Sequence, residues 1–545
     1  MPRLGYARNC SWVLGLVTLT CVTSARAQDD KTTADQAGEG QAPAARAPGE
    51  DHDASTPPAG ASRADDSQAP AIQAPVQAGV HEASAPPAAA PRAGEAQSPA
   101  VPAPATDGDH EAAGFHFGSY GRVRVATDLR GGGPQNSNFV AHGSRLDEAP
   151  YLELELRDTE YPNKDLRVRV ISTLAVAGDP FHYTGEFQAQ TAIRNMFVDV
   201  RGLGVPGLSM WAGARMYRGD DIYLLDFWPL DNLNTVGGGA ILDATDSTRI
   251  ALHVGSSRLL DGNFEYQEQA LPSRSHFGTD TVLTLDRPRT IASAKLTQFF
   301  PNNHAPQGFK LSLYGEGHYL PSGHYDPSTT TVRPAIALPS DTGFVIGAQG
   351  TVYGFGDRDG HVHLFARYAR GIAAYGDLAV PFGLDDKRRT TKASELLFAT
   401  SGNFEVDRFG VMMGAYLRHF NDASGATFSS NKYWEGILAL RPILYATEHT
   451  GIGAEVSYQY RSENVLTDDG KHVTPQAWRL SVLPLITPYG WGDYKRPIIY
   501  AVYTATIRNQ AAEDLYPVGD PRATRSVEHY LGLQAEWWFN SSSYP

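Results

Sequence analysis

The chain of 545 residues carries 46 lysines and arginines against 60 aspartates and glutamates, a formal charge of −14. That balance argues against a nucleic-acid partner, which needs a basic footprint. No stretch beyond the N-terminus supplies the roughly 20 apolar residues of a membrane-spanning helix, so an α-helical membrane protein is excluded. A β-barrel is not, because its lipid face is spread over alternate residues.

Residues 1–27 read as a secretory signal peptide: Arg3 and Arg8 precede an apolar run over 12–22, and Ala25-Arg26-Ala27 forms a small-x-small cleavage site. Thr18-Leu19-Thr20 makes a poor lipobox for Cys21. Cys10 and Cys21 are the only cysteines, so the mature chain is expected to have neither disulfides nor thiol chemistry. Removing the signal takes away three arginines and brings the charge to about −17.

Residues 28–113 are dominated by alanine, proline, glycine and acids, with 14 acids against 4 bases. Such a segment buries too little apolar surface to offset its ordering entropy and is expected to be a disordered tether. From Gly114 onward tyrosine, phenylalanine, tryptophan and valine rise and period-two patterns recur. In YLELEL, Leu152, Leu154 and Leu156 alternate with Tyr151, Glu153 and Glu155; YGRVRV, LRVRV, HVHLFARYAR and AEVSYQYR repeat the theme.

A soluble sandwich and a membrane barrel both produce this alternation. The barrel is favoured by acids and arginines mixed on the polar face in mid-strand, and by connections alternating between short and long. The last strand adds Leu531, Leu533, Ala535, Trp537 and Phe539 on one face against Tyr530, Gly532, Gln534, Glu536 and Trp538 on the other. Roughly 426 residues, 114–539, suit about 16 to 18 strands, leaving 540–545 (NSSSYP) as a short tail.

Motifs for bond chemistry are thin. The glycines of 347–360 have no helix after them and read as strand and hairpin turn rather than a phosphate loop. His361 and His363 share a strand face without a third ligand nearby, so lumen lining is the simpler reading than a metal site. Asp220, Asp221 and Asp226 could be a glycosidase acid pair or a calcium site, but their spacing fits calcium poorly and sequence cannot show a carboxylate separation. Neither an enzyme activity nor a cofactor is expected.

WAGARMYRGDDIYLLDF, residues 211–227, resembles the most recognisable segment of the maltoporin family of sugar-selective outer-membrane porins. FGSYGRVRV resembles the family's first strand, RLDEAPYLELEL its second and GLQAEWW its last, so the resemblance spans 115–539. It implies an all-β fold, a transmembrane antiparallel β-barrel of eighteen strands with an inward-folded constriction loop. It also implies a homotrimer in outer-membrane lipid, with the tether as a periplasmic extension.

The resemblance further implies passive diffusion of oligosaccharides along an aromatic slide flanked by a polar track. Tyr120, Tyr151 and Trp538 match slide rings, Trp228 stands where a tyrosine narrows the channel, and Tyr433 or Trp434 is a candidate for another ring. Arg122, Arg145, Glu153, Arg194, Asp221 and Asp226 match the track. Gly219 stands in place of a track arginine, with Arg218 beside it as a substitute, and Tyr223 replaces a histidine. Phe181, Tyr183 and Phe187 are candidates for the ring lent by a neighbouring subunit. Within the opening motif, Trp211 to Tyr217 is expected to be strand and 218–231 the constriction loop. There Asp220 and Asp221 would start a helical turn that Pro229 stops. Two further expectations remain open, a general diffusion porin of the same fold and a secreted β-rich glycosidase; the acidic tether is a candidate for holding a periplasmic binding protein or the cell wall.

Overall fold

The computed structural model describes residues 112–541 apart from 179–188, 258–265, 273–278, 286, 326–335, 377–383, 425–431, 464–470 and 517–518. The signal segment, the tether up to residue 111, Phe181, Tyr183, Phe187 and the last four residues lie outside the described residues.

Eighteen strands form one antiparallel meander closed on itself. They are β1 Gly114–Thr127, β2 Tyr151–Glu160, β3 Arg167–Ala177, β4 Gln190–Arg201, β5 Leu208–Arg218 and β6 Asn232–Thr245. Next come β7 Thr248–Ser257, β8 Arg289–Phe300, β9 Gly308–Leu320, β10 Asp341–Phe355, β11 Arg358–Gly371 and β12 Ser394–Val406. The ring is completed by β13 Phe409–Asn421, β14 Lys432–Tyr445, β15 Thr450–Glu463, β16 Gln476–Ile486, β17 Ile498–Arg508 and β18 Val527–Phe539. β18 pairs with β1 in the register Tyr120↔Trp538 and Arg122↔Glu536, which removes both edges. Two small hairpins, Tyr266–Pro272 with Thr279–Leu285 and Gly323–Tyr325 with Ile336–Leu338, stand outside the ring.

The alternation decides the faces. In β16, Arg479 and Ser481 are buried inside while Trp478, Leu480, Val482 and Ile486 are exposed outside. Phe115, Val125, Leu156, Val170, Ile193, Leu252 and Leu533 continue that outer apolar band. A monomer in water would not expose such a belt, whereas a bilayer solvates it. Aromatic pairs mark its two rims. Phe117 with Phe539, Phe300 with Phe309 and Phe355 with Phe404 lie toward the end with the short connections. Phe344 with Tyr368, His419 with Trp434 and Tyr458 with Trp478 lie toward the other. Rings with one wet end favour these depths. In barrels of this kind the short connections are periplasmic and the long ones extracellular.

Among the described residues, the long-end loops 128–150 and 219–231 and the short-end connection 487–497 reach residues of the inner wall. After Phe539 the chain turns at Asn540, in the left-handed region, and Ser541 Oγ donates to Glu155 Oε2 at 3.3 Å.

Candidate solute channel

The constriction loop runs over 219–231, starting one residue later than expected because Arg218 still belongs to β5. β5 stops at Arg218, β6 begins at Asn232, and the intervening residues are almost all buried. Its anchors run round the inner wall. Lys295 of β8 pairs with Asp231 at 2.9 Å and Lys310 of β9 with Asp220 at 2.6 Å. Arg367 of β11 donates to the Pro229 carbonyl at 2.7 Å, and Ser401 of β12 to that of Asp221 at 3.0 Å. On β13 a Cβ added to Gly414 would lie 2.7 Å from Ile222 Cγ2, so the loop tip rests on bare backbone there. The single helical turn is Tyr223–Leu225, and it ends at Asp226, whose left-handed φ of 49° closes it. The acids therefore precede the turn rather than opening it, and Pro229 comes after it has already ended.

The glycine at position 219, where the family resemblance leads one to expect an arginine, has a steric explanation. A Cβ on Gly219 would lie 2.5 Å from Asp231 Cγ and closer still to Oδ1, while Gly219 N donates to the Asp231 carbonyl at 3.0 Å. The loop is tied shut at its root by this pair, which leaves no room for a side chain. Arg218 donates to Asn232 at 2.8 Å and lies 3.9 Å over the ring of Trp228. Trp228 is only 1% exposed beneath it, so the ring matched to the narrow point is covered in this conformation.

Tyr120, Tyr151 and Trp538 do come together, because β18, β1 and β2 are neighbours in register. Tyr120 and Tyr151 are 6.0 Å apart, and Trp538 packs against the pair. Around them Arg122 pairs with Glu148 at 2.9 Å, Arg145 with Glu148 and Glu536 at 3.1 Å each, and Arg194 with Glu153 at 2.9 Å. Arg194 is the extra residue at a register shift between β3 and β4, a bulge that re-aims it toward Glu153 and the Tyr151 hydroxyl. Asp221 is buried in the loop, and neither carboxylate oxygen has a hydrogen-bond partner among the described residues. Burial, with Asp226 and Asp220 nearby, holds its carboxyl well above the usual range. Its neighbour Asp220 is pulled the other way: burial opposes ionisation, but Lys310, His363 and Lys295 hold it well below that range.

Of the pair Tyr433 and Trp434, only Tyr433 faces the lumen, 4.2 Å from the Arg461 guanidinium. Trp434 is 39% exposed on the outer face against His419 and belongs to the interfacial rim; this corrects its candidacy as a slide ring, since consecutive strand residues cannot share a face. His361 and His363 are both buried inward with rings 4.7 Å apart, and no cluster of three potential metal ligands occurs among the described residues.

Several lumenal residues had no role assigned from sequence. Glu536 is the hub, accepting from Arg145, from Arg496 at 2.8 Å and from the hydroxyls of Tyr120 at 3.3 Å and Tyr223 at 3.0 Å. The loop 128–150 contributes His142, stacked on Phe227 at 3.8 Å, and Asp147, paired with Arg479 at 3.1 Å. Glu536 was legible as an inward residue of the last strand; the contacts of the loops depend on how they fold back.

A closed barrel with an apolar belt, a charged lumen and a loop folded across it defines a porin of the outer membrane. The LamB porin family matches residues 115–539, and the chain belongs to that family. No curated protein matches it. Among solved structures, OpdK of Pseudomonas aeruginosa is 11% identical, covering 79% of this chain and 99% of its own, with a TM-score of 0.40. The outer membrane channel DcaP of Acinetobacter baumannii is also 11% identical, at 78% and 98% coverage and a TM-score of 0.39. OmpT of Vibrio cholerae is 9% identical, at 79% and 99% coverage and a TM-score of 0.33.

Proposed function

We propose that this porin mediates passive, facilitated diffusion of maltodextrins or related oligosaccharides. The observation that carries the reading is the grouping of Tyr120, Tyr151 and Trp538 beside Arg122, Arg145, Arg194, Glu153 and Glu536 on one stretch of lumenal wall. Sugars present apolar C–H faces to aromatic rings and hydroxyls to charged groups, so such a strip offers both at each step. Each step has to be weak enough to leave, which sets dissociation constants near millimolar, about −4 kcal/mol. Burial of Tyr120 and the cover over Trp228 favour a second reading, a general diffusion porin whose rings serve packing.

Sugar block of single-channel current in planar bilayers separates the two. Maltodextrins interrupt the current saturably, and Tyr151→Ala weakens the block by about threefold to tenfold, the worth of one stacking contact. A broad sugar panel that leaves the current untouched refutes the selective reading. Assembly as a homotrimer and anchorage of a periplasmic binding protein or the cell wall by residues 28–113 belong to the same proposal. Chemical cross-linking tests the first, and a deletion of 28–113 that changes neither transport nor cell-wall association removes the second.

A further inference from the structure

The connection 487–497 sits at the short-connection end, where most others have two to seven residues, yet it does not stay at the rim. It reaches wall residues four and five strands away. Tyr445 of β14 donates to Asp493 at 2.9 Å, and the Asp493 amide donates to Glu405 of β12 at 3.3 Å. A Cβ on Gly410 of β13 would lie 2.5 Å from Asp493 Oδ2, so this glycine leaves the socket for that carboxylate. Tyr494 packs edge-on against Tyr223 at 5.5 Å and lies 6.0 Å from His361 of β11. Arg496 then crosses to β18: its guanidinium donates to Glu536 at 2.8 Å and to the Tyr223 hydroxyl, and lies 4.2 Å over the ring of Trp538. Two inward segments, one from each end of the barrel, therefore meet at Tyr223 and Arg496.

We infer that 487–497 is a second constriction of the channel and that Arg496 is its specificity-determining residue. The face of Trp538 on which a solute ring would stack is occupied by the Arg496 guanidinium. A solute leaves the slide only by displacing that cation, and it does so best if its own oxygens take up the hydrogen bonds that Arg496 and Glu536 give up. The class selected is a hydroxyl-rich ring of low charge. A purely apolar ring covers Trp538 but leaves a buried ion pair without replacement partners.

The constriction rests on the porin reading alone and the role of Arg496 on the sugar reading as well, so the two fail separately. Arg496→Ala and Tyr494→Ala are compared with the parent chain in planar bilayers, each first shown to be folded by heat-dependent gel migration. Arg496→Ala is expected to raise the KCl conductance by about twofold, because it removes a constriction. It is also expected to strengthen maltohexaose block severalfold by freeing the Trp538 face, while Arg496→Lys stays closer to the parent because the cation remains. Conductance at the parental value in both alanine variants overturns the second constriction. Block that weakens in Arg496→Ala makes Arg496 a sugar ligand instead of a competitor and overturns its assigned role. If no sugar blocks any variant, the specificity role of Arg496 is overturned and the conductance comparison decides the constriction alone.

Discussion

Gly219→Ala probes the root of the constriction loop. The new Cβ would stand 2.5 Å from Asp231 Cγ, against the 3.5–4.0 Å of an ordinary carbon contact, so the carboxylate has to retreat by about 1 Å. Asp231 is buried and paired with Lys295 at 2.9 Å. Stretching that pair to about 3.9 Å at an effective dielectric of 20 costs about 1.5 kcal/mol. The Gly219 to Asp231 backbone bond is strained as well, so a total loss of about 1.5–3 kcal/mol is expected. Urea unfolding from lipid vesicles, followed by tryptophan fluorescence, measures it. The double variant Gly219→Ala/Asp231→Ala, compared with Asp231→Ala alone, should show almost none of this penalty, since the obstructing carboxylate is gone. A Gly219→Ala penalty of equal size in both backgrounds would refute the steric account, as would no penalty at all.

Two other outcomes follow from the lumenal network. Glu536→Gln leaves Arg496 without its carboxylate and Arg145 with Glu148 alone, and is expected to cost about 3 kcal/mol in the same unfolding assay. In the short-end connection, burial and the neighbouring Glu405 push the Asp493 carboxyl up to about 7, with Arg441 and Arg358 partly offsetting them. A carboxyl whose pKa is raised on docking binds its proton more tightly in the docked form. Docking is therefore strongest below the unperturbed carboxylate range, weakens as pH climbs toward about 7, and is level above that. KCl conductance should rise across that window in the parent chain and stay flat in Asp493→Asn; a parallel rise in both sinks the assignment.

The architecture was legible because its signal is local. Alternation needs only the next residue, and charges such as Glu153, Glu435 and Arg441 mark which parity faces the lumen. That parity would also have placed Trp434 outside, since it stands between inward Tyr433 and Glu435. The limits of the loop after Arg218 were legible too, as alternation stops where the chain leaves the wall. What lies between such landmarks is decided by contacts across the lumen. Neither the cover that Arg218 gives Trp228, nor the carboxylate filling the space at Gly219, nor the reach of Asp493 to β12 leaves a mark in nearby residues. For 487–497 only unusual length and a loss of alternation were available as signals.

The pairing of β18 with β1 also has a bearing on biogenesis. Tyr120 and Arg122 enter with the first strand, Trp538 and Glu536 with the last, and the groups that would meet a solute are shared between the chain's two extremes. No partial barrel contains this surface, however many strands it has already paired. Under the proposed function, solute recognition would be tied to the final act of folding into the membrane: a chain arrested before its seam zips up would be an unselective defect rather than a weakened transporter, and selective uptake would report on completed insertion.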